Sequence, residues 1–159
     1  MKTYRFLVPI LLLLALFSPL VAAAPISASE NYAVSHNERD FLKEKIKGYE
    51  VQTDDYLIDI WHCQIRDVGN GNVELYGYTQ CNRTCDKVSV KLVLQQLSGS
   101  SWIDLKSYTF VNYQSDYAYG AKTVPVSQGK YYRVKSYHYA EDGSLVDETT
   151  ATTDKIIIN

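Results

Sequence analysis

The chain is 159 residues long, 46% hydrophobic and 21% charged, with a formal net charge of −2. That composition excludes collagen-like, coiled-coil and disordered chains, and 16 basic against 18 acidic residues exclude a strongly basic nucleic-acid binder. Fourteen tyrosines stand against four phenylalanines, two tryptophans and one methionine, a bias toward the half-buried pleated surfaces of an all-β domain.

Lys2 and Arg5 precede an apolar run from Phe6 to Leu20 and the small residues Val21-Ala22-Ala23-Ala24. This is the three-part pattern of a secretory signal peptide, expected over residues 1–23 with cleavage after Ala22 or Ala23. The run contains Pro9 and Pro19 and is shorter than the roughly 20 residues that span a bilayer, so no stable membrane insertion is expected after cleavage. Loss of Lys2 and Arg5 leaves 14 basic against 18 acidic residues. The mature chain is therefore expected to be mildly acidic and extracellular.

Residues 24–55 are polar and short of large apolar side chains, and read as a linker, a pro-segment or a partner-binding arm. Within them a short helix is expected over about 38–47. Asn37 supplies a capping side chain and Glu38 and Asp40 place acids in the first turn. Phe41, Leu42 and Ile46 form a narrow apolar stripe, and Gly48 can close the helix.

From Tyr56 to Asn159 the apolar period becomes two. Tyr56 to Arg66 reads as a first strand ended by Gly69-Asn70-Gly71. A second runs from Asn72 to Gln80, with Val73, Leu75, Gly77 and Thr79 on one face and Glu74, Tyr76 and Tyr78 on the other. The third alternates Val88, Val90, Leu92 and Leu94 with Ser89, Lys91, Val93 and Gln95. Strands from Ser101 to Asn112 and from Tyr117 to Val126 follow, then Lys130 to Ala140, and finally Leu145 to Ile158. Seven strands separated by regular turn signals predict an antiparallel β-sandwich of immunoglobulin or fibronectin type, preceded by the signal peptide and the helical arm. In the sixth strand Tyr132, Val134, Ser136 and His138 share one face, and Tyr131, Arg133, Lys135, Tyr137 and Tyr139 the other. Tyr132, two residues before an inward Val134, fits the tyrosine corner of such sandwiches.

Gly69-Asn70-Gly71-Asn72-Val73, Gly77-Tyr78-Thr79, Asp86-Lys87-Val88, Leu94-Gln95, Ser101-Trp102-Ile103-Asp104 and Gly129-Lys130-Tyr131-Tyr132-Arg133-Val134, followed by His138 and Glu148, carry a resemblance. Over roughly Ile58 to Ile158 the chain resembles a family of small secreted proteins of Gram-positive bacteria, chiefly Bacilli and Clostridia, whose domain has no assigned function. The shared residues are mostly turn and core positions, so the resemblance implies a fold and no activity. Cys81 and Cys85 stand where relatives carry a small and an apolar residue, which makes a local disulfide a departure of this chain.

Three cysteines leave one unpaired. Cys81 and Cys85 bracket the connection between the second and third strands and are the preferred pair, a tight loop for a disulfide. Reflection about Asn70 sets Cys63 opposite residue 77, which disfavours Cys63–Cys81 unless a bulge intervenes; Cys63–Cys85 stays open. A zinc site from His62, Cys63, Cys81 and Cys85 lacks the tight spacing of structural sites, and adjacent strand residues point to opposite faces. No nucleophile elbow, phosphate loop or metalloprotease helix is present, so neither catalytic residues nor a cofactor or metal is expected. His138 reads as a core histidine bonded to backbone or to a polar neighbour. The pairs Asp54-Asp55, Glu141-Asp142 and Asp147-Glu148 read as solvated turns and strand ends.

The tyrosine surplus is the feature with functional reach. Tyr131, Arg133, Lys135, Tyr137 and Tyr139 make an outward aromatic and basic face, suited to a cell-surface glycan or protein. The expectation is a secreted, non-enzymatic binding module, with no nucleic-acid partner. A secreted toxin or antimicrobial effector that uses Phe41 to Ile46 as its arm is the alternative, and an extracellular hydrolase the third reading.

Overall fold

The computed structural model describes residues 31–39 and 56–159, which form seven β-strands and contain no helix. They are β1 (Tyr32–Glu38), β2 (Ile58–Gly69), β3 (Asn72–Ser98), β4 (Ser101–Pro125), β5 (Lys130–Asp142), β6 (Leu145–Thr152) and β7 (Ile156–Ile158). Every pairing is antiparallel, and all seven strands belong to one hydrogen-bonded sheet. The signal peptide expected over residues 1–23 lies outside the described residues.

The turns follow from their sequences. Asn70 and Gly71 both have positive φ (+55° and +67°) between Gly69 and Asn72, which pair with each other. A two-residue hairpin turn of this hand matches the right-handed twist of its strands, and Asn-Gly is the dipeptide that tolerates it. The β3–β4 and β5–β6 hairpins are two-residue turns as well, opening on Gly99 and Gly143.

The strand count of seven hides three differences from the expectation. Residues 32–38, placed in a linker, form an edge strand paired along their length with β2. The capping side chain expected at Asn37 instead donates to the Ser35 hydroxyl, and Glu38 lies within β1 rather than opening a helix. Pairing to the free edge of β2 overrides a weak local helix signal; the rest of the expected helix lies outside the described residues. The second difference is that four expected strands are two. β3 runs through Cys81–Cys85 and β4 runs through the segment between Asn112 and Tyr117, with a register shift between Gln80 and Cys85 in place of a loop. That segment has no Gly or Pro to stop a strand. Its backbone is tied down: the Asn82 N–H donates to the Leu57 carbonyl, and its amide side chain to the Tyr56 carbonyl. Across from it, Gln114 takes a positive φ of +50° and donates from its side chain to Asp86.

The third difference lies at the C-terminus, where one expected strand is two. Thr153 leaves the β6 line with its side chain buried, its hydroxyl accepting from the Val134 N–H and donating to the Asp154 carbonyl. The chain then resumes as β7 beside Lys130–Tyr132.

The long β3–β4 hairpin is folded back on itself at the 81–85 irregularity. On one edge, the first half of β3 pairs with β2 and the second half with β5; β4 lines the other edge throughout. Gly77 lies against Leu92 and Val90 of its own strand, and Gly120 lies under the Phe110 ring. Between the halves sit Ile65, Leu75, Val90, Leu92, Leu94, Tyr132, Val134 and Ile158, all fully buried. A second cluster under the fold holds Leu57, Ile58, Cys81, Cys85, Val88, Ala118 and Ala140, and Trp61 touches both. The Tyr132 hydroxyl donates to the Ser127 carbonyl at 2.9 Å, so a fully buried phenol keeps its hydrogen bond.

Gly77 is where two backbones come closest. A Cβ there would stand 2.8 Å from the His62 carbonyl oxygen and 2.7 Å from Leu92 Cδ2. The backbone carbonyl cannot swing away, so Gly77→Ala is expected to lower stability by about 2 kcal/mol in urea unfolding. At Gly120 a Cβ would run into the near end of the Phe110 ring, so Gly120→Ala is expected to force that ring to move and to lower stability as well.

Candidate functional site

The outer face of the β4–β3–β5–β6 half is laid out in rows set by register. One row holds Val111, Ser89, Tyr139 and Glu148; the next holds Thr109, Lys91, Tyr137 and Thr150. Strand alternation therefore places all five of the expected binding residues, Tyr131, Arg133, Lys135, Tyr137 and Tyr139, on one outward face, while Tyr132, Val134, Ser136 and His138 are buried. Tyr137 and Tyr139 border a groove of about 460 Å³ with Glu148, Thr149 and Thr150.

Cations cover the rings of this face. Lys91 and Lys135 stand 5.6 and 5.1 Å from the centre of Tyr137, Lys87 stands 4.9 Å from Tyr139, and Lys155 stands 4.7 Å from Tyr131. Arg133 lies 4.1 Å over Trp102 and donates from Nε to Gln95. These contacts fix long side chains against flat surfaces while their charged heads face solvent. Among the described residues none of these four lysines forms an ion pair. The Tyr139 hydroxyl donates to Glu141 at 2.6 Å, and that bond, more than any other influence, raises its pKa above the usual phenol value.

The opposite outer face carries a constellation that the sequence reading did not single out. His36, His62, Tyr78 and Tyr119 are directly opposite one another across β1, β2, β3 and β4. His62 stacks on Tyr78 at 5.1 Å with 16° between planes, and Tyr78 meets Tyr117 at 5.5 Å. The Nδ1 of His62 is shielded without a hydrogen-bond partner, and the Tyr78 hydroxyl meets Nδ1 of His36 at 3.4 Å. Half of this row was accessible from sequence, because reflection about Asn70 pairs His62 with Tyr78. His36 was hidden with β1.

Inside, His138 is 1% exposed and both its ring nitrogens are hydrogen-bonded. Nδ1 lies 2.8 Å from the Thr79 hydroxyl, which donates in turn to the Ser89 carbonyl, and Nε2 lies 2.7 Å from the Ser136 hydroxyl. Since the Thr79 proton goes to Ser89, Nδ1 is the protonated nitrogen and Nε2 accepts from Ser136. Cys63, opposite Gly77 as its register requires, adjoins this hydrogen-bonded chain at Ser136 and also meets the Thr153 backbone. Burial raises the Cys63 thiol and lowers His138 to about 4, so this chain is neutral at pH 7. His138 is thus the expected core histidine, and its partners are hydroxyls rather than a carboxylate.

The Cys81–Cys85 disulfide is not formed: all three cysteines are buried free thiols. The bulge keeps residues 81–85 within an extended strand instead of closing a loop, so the two side chains are neighbours whose thiols hydrogen-bond without joining. Burial raises both thiols, and for Cys81 the adjacent Cys85 adds to the effect. Cys63 belongs to the other core cluster, which also separates it from Cys81 and Cys85. His62 points outward and Cys63 inward, so the four residues weighed as a zinc set do not converge. Among the described residues no three His, Cys, Asp or Glu side chains are grouped to hold a metal.

No protein-family model matches the chain, and no curated protein matches it.

Proposed function

We propose that this protein is an exported, non-enzymatic binding module whose β5 face takes an anionic envelope glycan. The observation that carries the reading is the concentration of five cations, Lys87, Lys91, Arg133, Lys135 and Lys155, on aromatic rings of one face of a chain that is net acidic. Rings hold the cations in place, so little side-chain freedom is lost when an anion arrives. The groove beside Tyr137 and Tyr139 adds the Thr150 hydroxyl and the Glu148 carboxylate as hydrogen-bonding groups for sugar hydroxyls. Export is supported by the basic, apolar and small-residue order of residues 1–23.

The fold reading that accompanies this is a two-layer sandwich of immunoglobulin or fibronectin type. It is supported by the face-to-face halves of the β3–β4 hairpin and by the Tyr132–Ser127 hydrogen bond, which has the form of a tyrosine corner. The effector alternative rests on Phe41 to Ile46, which lie outside the described residues.

The test is retention of the purified mature chain on isolated cell walls and on acidic and neutral polysaccharides. Saturable retention on the acidic polymers, weakened by salt and reduced about tenfold or more in Tyr137→Ser/Tyr139→Ser with an unchanged circular dichroism spectrum, is the expected result. Equal retention of wild type and variant would remove the face from the site, and no retention on any glycan would remove the ligand class.

A further inference from the structure

We propose that His36 and His62, with the phenol of Tyr78, form a binding site for a divalent transition metal ion of the imidazole-preferring class, with zinc as the reference ion. The site lies on the outer face opposite β5 and is independent of the glycan reading.

Four observations converge. The two histidines are directly opposite in the β1–β2 register, and their ring centres are 5.7 Å apart. Two imidazoles on one tetrahedral zinc, each with a Zn–N bond of roughly 2 Å, place their ring centres about 5 Å apart. The phenol of Tyr78 is 3.4 Å from Nδ1 of His36 and its ring stacks on His62, so an oxygen donor stands beside His36 on a side chain that touches both imidazoles.

The third observation concerns His62 alone. Its Nδ1 is shielded and has no hydrogen-bond partner. A buried polar atom left without a partner is unfavourable, and an ion bound there would supply one. Fourth, His36 is exposed and its contact with the Tyr78 phenol lies at the surface, which leaves the site open to an ion from solution. Two nitrogens and one oxygen leave the remaining coordination positions to water, as in an open site.

A bound ion would bridge the edge strand β1 to β2, so its binding is readable as stabilisation as well as ligation. Wild-type protein is titrated with Zn²⁺ by calorimetry, imidazole ¹⁵N shifts are followed by NMR, and Tm is recorded with and without Zn²⁺. The expected result is one ion per chain, shifts confined to His36 and His62, and a Tm that rises with Zn²⁺. His36→Asn and His62→Asn should each weaken binding about tenfold or more and abolish the Tm rise. Cys81→Ser/Cys85→Ser should bind as the wild type does, which separates this site from the buried thiols. Undiminished binding in His36→Asn/His62→Asn, or shifts at His138 instead, would overturn the proposal, and so would the absence of any one-to-one binding at millimolar Zn²⁺.

Discussion

Asp147→Ala is expected to lower the unfolding free energy by about 4 kcal/mol. One oxygen of this carboxylate accepts the N–H groups of Leu57 and Ile58 at 3.0 and 2.9 Å, and both oxygens accept from Nη2 of Arg39. Leu57 and Ile58 are fully buried, so the two N–H groups have no water to turn to when the carboxylate is removed. Each such orphan costs about 1–3 kcal/mol, and Arg39 is left without its anion. Arg39 also donates from its backbone to Asp59 and from Nε to Ile58, and packs on Tyr56. Asp147 thus joins the end of β1, the start of β2 and β6 at one point. Asp147→Asn retains one acceptor and should fall between wild type and Asp147→Ala. Urea unfolding of the three proteins at pH 7 measures the order, and an Asp147→Ala loss below about 1 kcal/mol would mean the N–H groups find other acceptors.

Acidification from pH 6.5 to 4 is expected to remove about 3 kcal/mol of stability through His138. Burial, with a smaller contribution from His62, lowers its pKa from 6.5 to about 4. The unfolded chain takes up a proton below pH 6.5 and the folded chain does not until near pH 4. The stabilisation is therefore complete above pH 6.5 and declines as pH falls through that window. His62 is lowered as well and contributes with the same sign, so the diagnostic quantity is the difference between wild type and His138→Gln. Glutamine can meet the Thr79 and Ser136 hydroxyls without taking up a proton. Its stability should change less between pH 6.5 and 5 than that of the wild type, and parallel profiles would show that the His138 imidazole stays protonatable in the fold.

The parts of this fold written in short range were legible. The Asn70-Gly71 turn sets the β2–β3 register by itself, and Cys63 does stand opposite Gly77. The inward positions Val73, Leu75, Val88, Val90, Leu92, Leu94, Tyr132 and Val134 follow from alternation, whereas the burial of Ser89, Val93 and Gln95 on the alternate face of β3 does not. Long-range pairing was not legible. Tyr32 to Glu38 has little apolar content of its own and becomes a strand only because β2 has a free edge. Residues 81–85 looked like a loop because their polar middle suggested solvent, yet a bulge lets Asn82 and Thr84 face outward while Cys81 and Cys85 stay buried. The outward face of β5 was readable for the same reason as the core, by alternation. The lysines that cover it come mainly from β3 and the β6–β7 connection, and their placement needed the register.

β3 is the one strand that pairs with β2, β4 and β5. It belongs to both halves of the folded hairpin, and every other strand pairs into the sheet through it or through one of its direct neighbours. The domain consequently has no seam. Two sheets that merely packed face to face could part along their interface and open one at a time, with the other left intact. Here separation of the halves would tear a continuous backbone ladder as well as an apolar contact. Local opening is expected at the strands that pair on one side only, such as the β1 edge and the short β7, with the β3-centred ladder held or lost as one unit.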